Sequence, residues 1–359
     1  MPSLINVSDI KTAAKRIAPA ALRTPLIPLD PSRLRAFGLT PTAAIYLKDE
    51  SAQPIGSFKL RGAYNMIAQL TPDQLRRGVI TYSSGNHAQG VAYAARALGS
   101  KAVIVMPSNA PQIKRDATRA LGAEIVEVGP TSTERKLRAE QLAEAHGYTI
   151  VPPYDDPAII AGQATCGLEI LQQLPDADLI LSPVSGGGLL SGVATAIKLA
   201  SSERFEGARL QPCHLDPKKE AGFSPGGAQV WGCEPSLAAD AHASFTTKTL
   251  VEWPGEKTTR TLCDGLRTQS LGELNFALIL RFVDGIVTVT EPEIRLATRI
   301  LLEATSLTAE PSGAITLAAA LFHADDLPPA HKIVAIVSGG NLDPTLRAEL
   351  ESEAQTISV

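Results

Sequence analysis

Residues 177–200, ADLILSPVSGGGLLSGVATAIKLA, begin as one kind of structure and end as another. The first eight form a short apolar run, the pattern of a strand buried on both faces, and the last dozen read as a helix. Between them stand Gly186, Gly187 and Gly188. A strand that passes into a helix through such a turn is half of a βαβ unit, and units of this kind build parallel sheets covered by helices on both faces. Glycines there permit a nest of converging backbone N–H groups, and the helix dipole behind them adds positive potential, so the turn can hold a phosphate. Ser185 can add a hydroxyl donor. The stretch is neither a Walker loop, since no GK[ST] follows, nor a clean GxGxxG, which argues against a nucleotide.

The same rhythm extends outward. KAVIVMP (101–107), AQVWGCEP (228–235), GIVTVT (285–290) and HKIVAIVSGG (331–340) also read as buried strands, and helices lie between them. Thr71-Pro72, and Thr290 followed by Glu293, are helix starts, and Gly99 is a helix stop. Residues 201–227 break the rhythm: they are polar, rich in Pro and Gly, and too long for an ordinary connection, so they are expected to be an inserted surface loop. In a sheet of this class, ligands gather at the carboxyl ends of strands, so the site is expected in strand-to-helix turns.

Composition narrows the partners. With 359 residues, 44% of them apolar and 19% charged, the chain is long enough for two lobes and a sizeable core. A net charge of -4 from 33 basic and 37 acidic residues leaves no basic face for a nucleic-acid polymer and no polybasic membrane patch. No signal-peptide core and no bilayer-length apolar run is present, so a cytoplasmic protein with a small-molecule partner is expected. Cys166, Cys213, Cys233 and Cys263 show no CxxC pairing and read as reduced thiols.

Three further turns carry chemistry. In GSFKLRG (56–62), Lys59 sits between a Gly-Ser-Phe turn and a helix start. In SSGNHAQG (83–90), Ser83, Ser84, Asn86 and His87 gather polar groups at a helix N-terminus, where backbone amides favour a carboxylate. In VSGGN (337–341), Ser338 can hydrogen-bond a heteroaromatic nitrogen. Singly, each has an ordinary explanation as a surface lysine, a cap or a tight turn. Together with the glycines they ask for an aldehyde, a phosphate, a ring nitrogen and an amino-acid carboxylate, and pyridoxal 5'-phosphate with an amino-acid substrate supplies all four.

In motif order, from about residue 8 to 345, the sequence resembles the fold-type II pyridoxal-phosphate enzymes, in the branch of serine racemase, threonine dehydratase and threo-3-hydroxyaspartate dehydratase. The resemblance implies an α/β fold of two lobes. Residues 1–71 and 153–359 would form a large, discontinuous cofactor domain, residues 72–152 a small substrate-side domain, and two chains a homodimer. It implies that Lys59 is the Schiff-base lysine, with Phe58 against the cofactor ring. Asn86 would bond the ring hydroxyl, and Ser185, Gly186, Gly187, Gly188 and Leu189 would cradle the phosphate. Ser338 would meet the pyridine nitrogen. Many relatives have Gly at the position of Ser185. The family further implies that Glu234, Ala238 (through its carbonyl) and Asp240 hold a divalent cation, and an oxygen-only set suits Mg²⁺ or Ca²⁺.

The reaction implied is β-elimination from serine, threonine or threo-3-hydroxyaspartate to a 2-oxo acid and ammonia, with Lys59 as base. Ser84 would sit on the opposite face of the substrate, where it would allow racemisation as the alternative activity. Ser83, Ser84, Asn86, His87 and Arg135 are the candidate substrate contacts. No C-terminal effector domain of the kind carried by biosynthetic threonine dehydratase is expected after about residue 345. A β-replacement enzyme shares the fold but differs around the lysine and the phosphate loop. A non-catalytic homologue that only binds the cofactor predicts a missing lysine or serine, and neither is missing.

Overall fold

The computed structural model describes residues 5–83, 85–108, 110, 112–129, 132–209, 227–305 and 307–357. Among these, ten strands form two sheets. In chain order they are β1 (Leu26–Pro28), β2 (Ala44–Asp49), β3 (Val79–Thr81), β4 (Ala102–Pro107), β5 (Glu124–Val128), β6 (Thr149–Ile150), β7 (Leu179–Pro183), β8 (Gln229–Pro235), β9 (Gly285–Val289) and β10 (Lys332–Val337). The six-stranded sheet has the order β1-β2-β10-β7-β8-β9, parallel except where β1 runs against β2, and the four-stranded sheet is β5-β4-β3-β6, parallel throughout. The α/β architecture expected from the sequence is therefore the observed one.

Burial explains why the central strands read as unbroken apolar runs. In β7, Leu179 and Leu181 enter one core with the Glu291–Ala304 and Pro311–Phe322 helices, while Ile180 enters another with Leu190 and Val193 of the Gly188–Arg209 helix. Strand β10 divides in the same way, Ile333, Ala335 and Val337 on one face and Val334 and Ile336 on the other. Side chains alternate along a strand, so a sheet covered on both faces needs apolar residues at every position.

The capping expectations hold. Thr71 Oγ1 accepts from Gln74 N at 3.2 Å while Gln74 Oε1 accepts from Thr71 N at 2.9 Å, and Glu293 reaches back to Thr290 N at 2.8 Å. Gly99 follows its helix with φ +68°. One expectation is corrected: residues 201–209 are not loop, because the Gly188–Arg209 helix runs through them. The rest of that stretch, 210–226, lies outside the described residues, as does Cys213. Cys166, Cys233 and Cys263 are buried free thiols. Among the described residues no helix is long and apolar enough to cross a membrane.

Candidate active site

A cavity of about 1000 Å³ collects all four turns. It is lined by Lys59 at the start of one helix, Ser83 and Gly85–His87 beyond β3, Ser185–Leu189 beyond β7, and Ser338 and Asn341 beyond β10. Each group therefore enters from the carboxyl end of a strand or from a helix N-terminus, where the fold predisposes a ligand to bind. Two of the turns are also joined directly: Phe58 N donates to Ser338 O at 3.0 Å and Gly340 N to Gly56 O at 2.9 Å.

Lys59 opens the Lys59–Ile67 helix, and its Nζ donates to Pro153 O at 2.8 Å. Burial without a carboxylate partner disfavours the ammonium form and brings its pKa from 10.5 down to about 8. The amine lies 5.2 Å from the centre of the Phe58 ring. Two residues on, Arg61 ties the helix down: it bonds Glu50 through Nε and Nη2 at 2.7 Å each, and Glu169 through Nη1 at 2.7 Å. Lys48 Nζ joins Glu169 at 2.6 Å, so two cations and two anions hold the first turn of the Lys59–Ile67 helix.

At the glycine turn, Gly187 has φ +96°, a conformation that side-chain-bearing residues avoid. A Cβ on Gly186 would lie 2.3 Å from the Tyr154 ring. No side chain fits at either position, so the buried glycine backbone, with Leu189, itself lines the cavity there. Ser185 Oγ shares a 2.7 Å hydrogen bond with Thr268 Oγ1, so the residue that replaces glycine has a partner of its own. Gly272 N donates to Gly186 O at 3.1 Å, which joins the turn to the start of the Glu273–Phe282 helix. That start is capped from afar by Asp155, which accepts from Glu273 N at 3.1 Å, Leu274 N at 3.0 Å, Asn275 N at 3.3 Å and Asn275 Nδ2 at 3.2 Å.

The serine-asparagine turn is built differently from expectation at one point. His87 is 3% exposed, and its Nε2 donates to the Val151 carbonyl at 3.0 Å. Burial, with the nearby Lys59 charge, drives its pKa down to about 3. The ring is therefore neutral at ordinary pH, and its Nδ1, which has no partner, is an acceptor. It suits a hydroxyl or ammonium donor, not a carboxylate. Ser84 lies outside the described residues. Asn86 Nδ2 donates to Glu310 Oε1 at 2.7 Å. Glu310 is 4% exposed, and burial together with the Asp264 carboxylate raises its pKa to about 8. Ser338 Oγ, also buried, donates to Ser312 O at 3.2 Å. Arg135 lines the cavity, and burial lowers its pKa.

Glu234, next to last in β8, and Ala238 and Asp240 beyond the strand are all buried. Both Glu234 oxygens accept backbone N–H groups, from Ala241 at 2.9 Å and His242 at 2.7 Å, while Asp240 Oδ2 has no partner. Burial raises the pKa of both carboxyls, Asp240 to about 7, and Asp240 adds its charge against Glu234. An orphaned buried oxygen in an oxygen-only set fits a hard divalent cation. Among the described residues no group of three or more His, Cys, Asp or Glu side chains is placed to hold a metal ion, so backbone carbonyls such as that of Ala238 would have to complete the shell.

Sequence reading missed Tyr154, Asp155, Thr268 and Glu310. The first two stand in PPYDDP (152–157), whose prolines read as a turn, and Glu310 precedes Pro311 as an ordinary helix entry.

Residues 17–339 match the model of a family described as pyridoxal-phosphate dependent enzyme. The chain is 36% identical over 344 residues to L-threo-3-hydroxyaspartate ammonia-lyase of Saccharomyces cerevisiae, covering 96% of this chain and 95% of that protein. Among solved structures, a threonine deaminase from T.th. superposes with a TM-score of 0.80 at 40% identity, covering 94% of this chain and 99% of that one. Maize serine racemase gives a TM-score of 0.82 at 32% identity, with coverages of 99% and 100%.

Proposed function

The chain belongs to the pyridoxal-phosphate dependent enzyme family, and from that premise we propose that it dehydrates and deaminates a hydroxy amino acid to a 2-oxo acid and ammonia. The observation that carries this reading is the meeting of Lys59, a lysine with a depressed pKa, with the cavity-lining glycine turn in one cavity. The residues present fit pyridoxal phosphate: the Gly186–Gly188 turn and Leu189 for the phosphate, Asn86 for the ring oxygen, Ser338 for the ring nitrogen once its hydroxyl turns from the Ser312 carbonyl, Phe58 against the ring, and Lys59 for the aldehyde. When bound, the cofactor supplies an electron sink for charge developing at Cα.

Lys59 takes the Cα proton, and its lowered pKa makes the neutral amine accessible near neutral pH. Backbone amides at the Asn86–Ala97 helix start, with Ser83, hold the substrate carboxylate. His87 Nδ1 accepts from a substrate donor. The β-hydroxyl departs as water, and the released enamine takes up water to give the 2-oxo acid and ammonium. Serine, threonine and threo-3-hydroxyaspartate are the substrate candidates. Arg135 on the cavity wall is the group that would favour the second carboxylate of hydroxyaspartate. Glu234, the Ala238 carbonyl and Asp240 hold Mg²⁺ or Ca²⁺ in this reading. Residues 72–152 act as a separate small domain, and the working assembly is a homodimer in the cytoplasm.

Racemisation is the second reading, favoured by the match to maize serine racemase and by the presence of Ser84. The deciding assay follows 2-oxo acid, ammonia and enantiomer formation with L-serine, L-threonine and L-threo-3-hydroxyaspartate, for the native protein and Lys59→Ala. Oxo acid and ammonia in equal amounts, both abolished in Lys59→Ala, support the dehydratase. D-product without oxo acid would replace it with the racemase.

A further inference from the structure

Asn86 is gripped at both ends. Its Nδ2 donates to Glu310 Oε1 and its Oδ1 accepts from Asn341 Nδ2, each at 2.7 Å. Asn341 Nδ2 also donates to the Ile55 carbonyl at 3.0 Å, which engages both of its hydrogens. A carboxamide has one end that donates and one that accepts, so its orientation follows from its partners. A backbone carbonyl only accepts, and Ile55 therefore sets the direction of the whole chain. Asn341 must present its NH₂ group, Asn86 must turn its oxygen toward Asn341, and the Asn86 NH₂ group must face Glu310. One Asn86 hydrogen goes to Glu310, and the second remains for the cavity that Asn86 lines.

Two glycines make this packing possible. A Cβ on Gly56, at φ +72°, would lie 2.5 Å from Asn341 Oδ1, and a Cβ on Gly339 would lie 2.6 Å from Glu310 Oε1 and 3.2 Å from Asn86 Nδ2. Both glycines belong to the paired turns that carry Lys59 and Ser338, so the relay is built into the same backbone as the site.

We propose that Asn341 and Glu310 are positioning residues that hold Asn86 with one amide hydrogen aimed at the ring oxygen of the cofactor. This deepens the pyridoxal-phosphate reading above and rests on it. Asn341 supplies direction through its link to Ile55, and Glu310 anchors the far end while leaving the second hydrogen for the ligand.

The test needs no turnover. Cofactor-free protein is titrated with pyridoxal phosphate and, separately, with 3-deoxypyridoxal phosphate, which lacks the ring oxygen, and binding is followed by intrinsic fluorescence. Native protein prefers pyridoxal phosphate. Asn341→Asp, which turns the donor into an acceptor, lowers that preference roughly tenfold, the scale of one hydrogen bond to a charged group. It does so by weakening pyridoxal phosphate and leaving the deoxy analogue nearly unchanged. Asn341→Ala, which removes the lock without adding charge, moves the preference in the same direction. Glu310→Gln keeps an acceptor for Asn86 and retains the preference, whereas Glu310→Leu loses it. Equal weakening of both ligands in the Asn341 variants would make Asn341 a turn-stabilising residue and overturn the proposal, as would a preference that survives both variants. Native protein that binds the two ligands equally would refute the relay alone. Native protein that binds neither would refute the cofactor reading itself.

Discussion

Asp155→Ala removes a carboxylate that takes four hydrogen bonds from the start of the Glu273–Phe282 helix, more than 100 residues away in sequence. Loss of a helix N-cap costs about 0.5–2 kcal/mol, and loss of a negative charge at a helix N-terminus adds about 0.3–1 kcal/mol. Three backbone amides and one side-chain amide lose their acceptor together, which puts the expected cost near the upper part of that range, about 2 kcal/mol. With roughly 2.1 cal/mol/K of unfolding entropy per residue, a chain this long melts about 2–3 °C lower if it unfolds as one unit. The measurement is a circular-dichroism melt of cofactor-free protein, because a bound ligand would add its own stabilisation. Asp155→Asn, which keeps one acceptor oxygen, should lose about half as much. Gly272→Ala attacks the same contact from the other side, since its methyl would fall 2.3 Å from the Asp155 carboxyl carbon, and should match Asp155→Ala. The cap is bonded to the glycine turn through Gly272 N and Gly186 O. Asp155→Ala should therefore weaken pyridoxal phosphate severalfold while sparing pyridoxal, which has no phosphate. An unchanged melt, or equal weakening of both ligands, would refute the account of how the turn is held.

Lys59 should give the cofactor-free protein a pH signature. Its folded pKa of about 8 lies below its ordinary 10.5, so between those values the unfolded chain binds more protons and stability rises with pH. Chemical denaturation across this window should show that rise in native protein and lose it in Lys59→Met; identical slopes would contradict the lowered pKa. Glu310 acts in the opposite sense: with a folded pKa raised to about 8, it favours folding most below pH 4.5 and loses that contribution as pH climbs toward 8. Glu310→Gln should flatten the decline over that range in the same denaturation series. For the Glu234–Asp240 pair, millimolar Mg²⁺ or Ca²⁺ should raise the melting temperature of native protein and a chelator should reverse it, while Asp240→Ala should melt identically with and without cation. Ser84→Ala should abolish any D-amino acid formation, read by chiral chromatography, and leave substantial dehydration of L-substrates; equal loss of both would make Ser84 a structural or carboxylate-binding residue.

The parts of the molecule that were readable in sequence are those specified locally. Lys59 in GSFKLRG, the Gly186–Gly188 turn after an apolar strand, and the Thr71 cap each stand out from a few neighbouring residues, and the structure forms the cap and brings the site turns into one cavity. What escaped depends on distant partners. Strand β2 ends in Lys48 and Asp49, charged residues that no periodicity rule places inside a sheet, yet Lys48 is fully buried because Glu169, Gln173 and the Thr24 carbonyl receive its ammonium. Asp155 reads as one acid of a Pro-flanked turn until the Glu273–Phe282 helix is seen docked upon it. Glu310 and Asn341 were hidden for the same reason, since an acid before a proline and an asparagine after two glycines are ordinary turn chemistry until Asn86 is placed between them. The polar composition of residues 201–209 suits a helix as well as a loop, and the Gly188–Arg209 helix takes them.

The central claim is that Lys59 carries the cofactor, and one measurement tests it directly. Protein loaded with pyridoxal phosphate is reduced with borohydride, digested, and mapped by mass spectrometry for the cofactor-modified lysine. The account predicts a single modified peptide containing GSFKLRG with the label on Lys59, and no stable labelling in Lys59→Ala. Label on a different lysine, or on none, would contradict it.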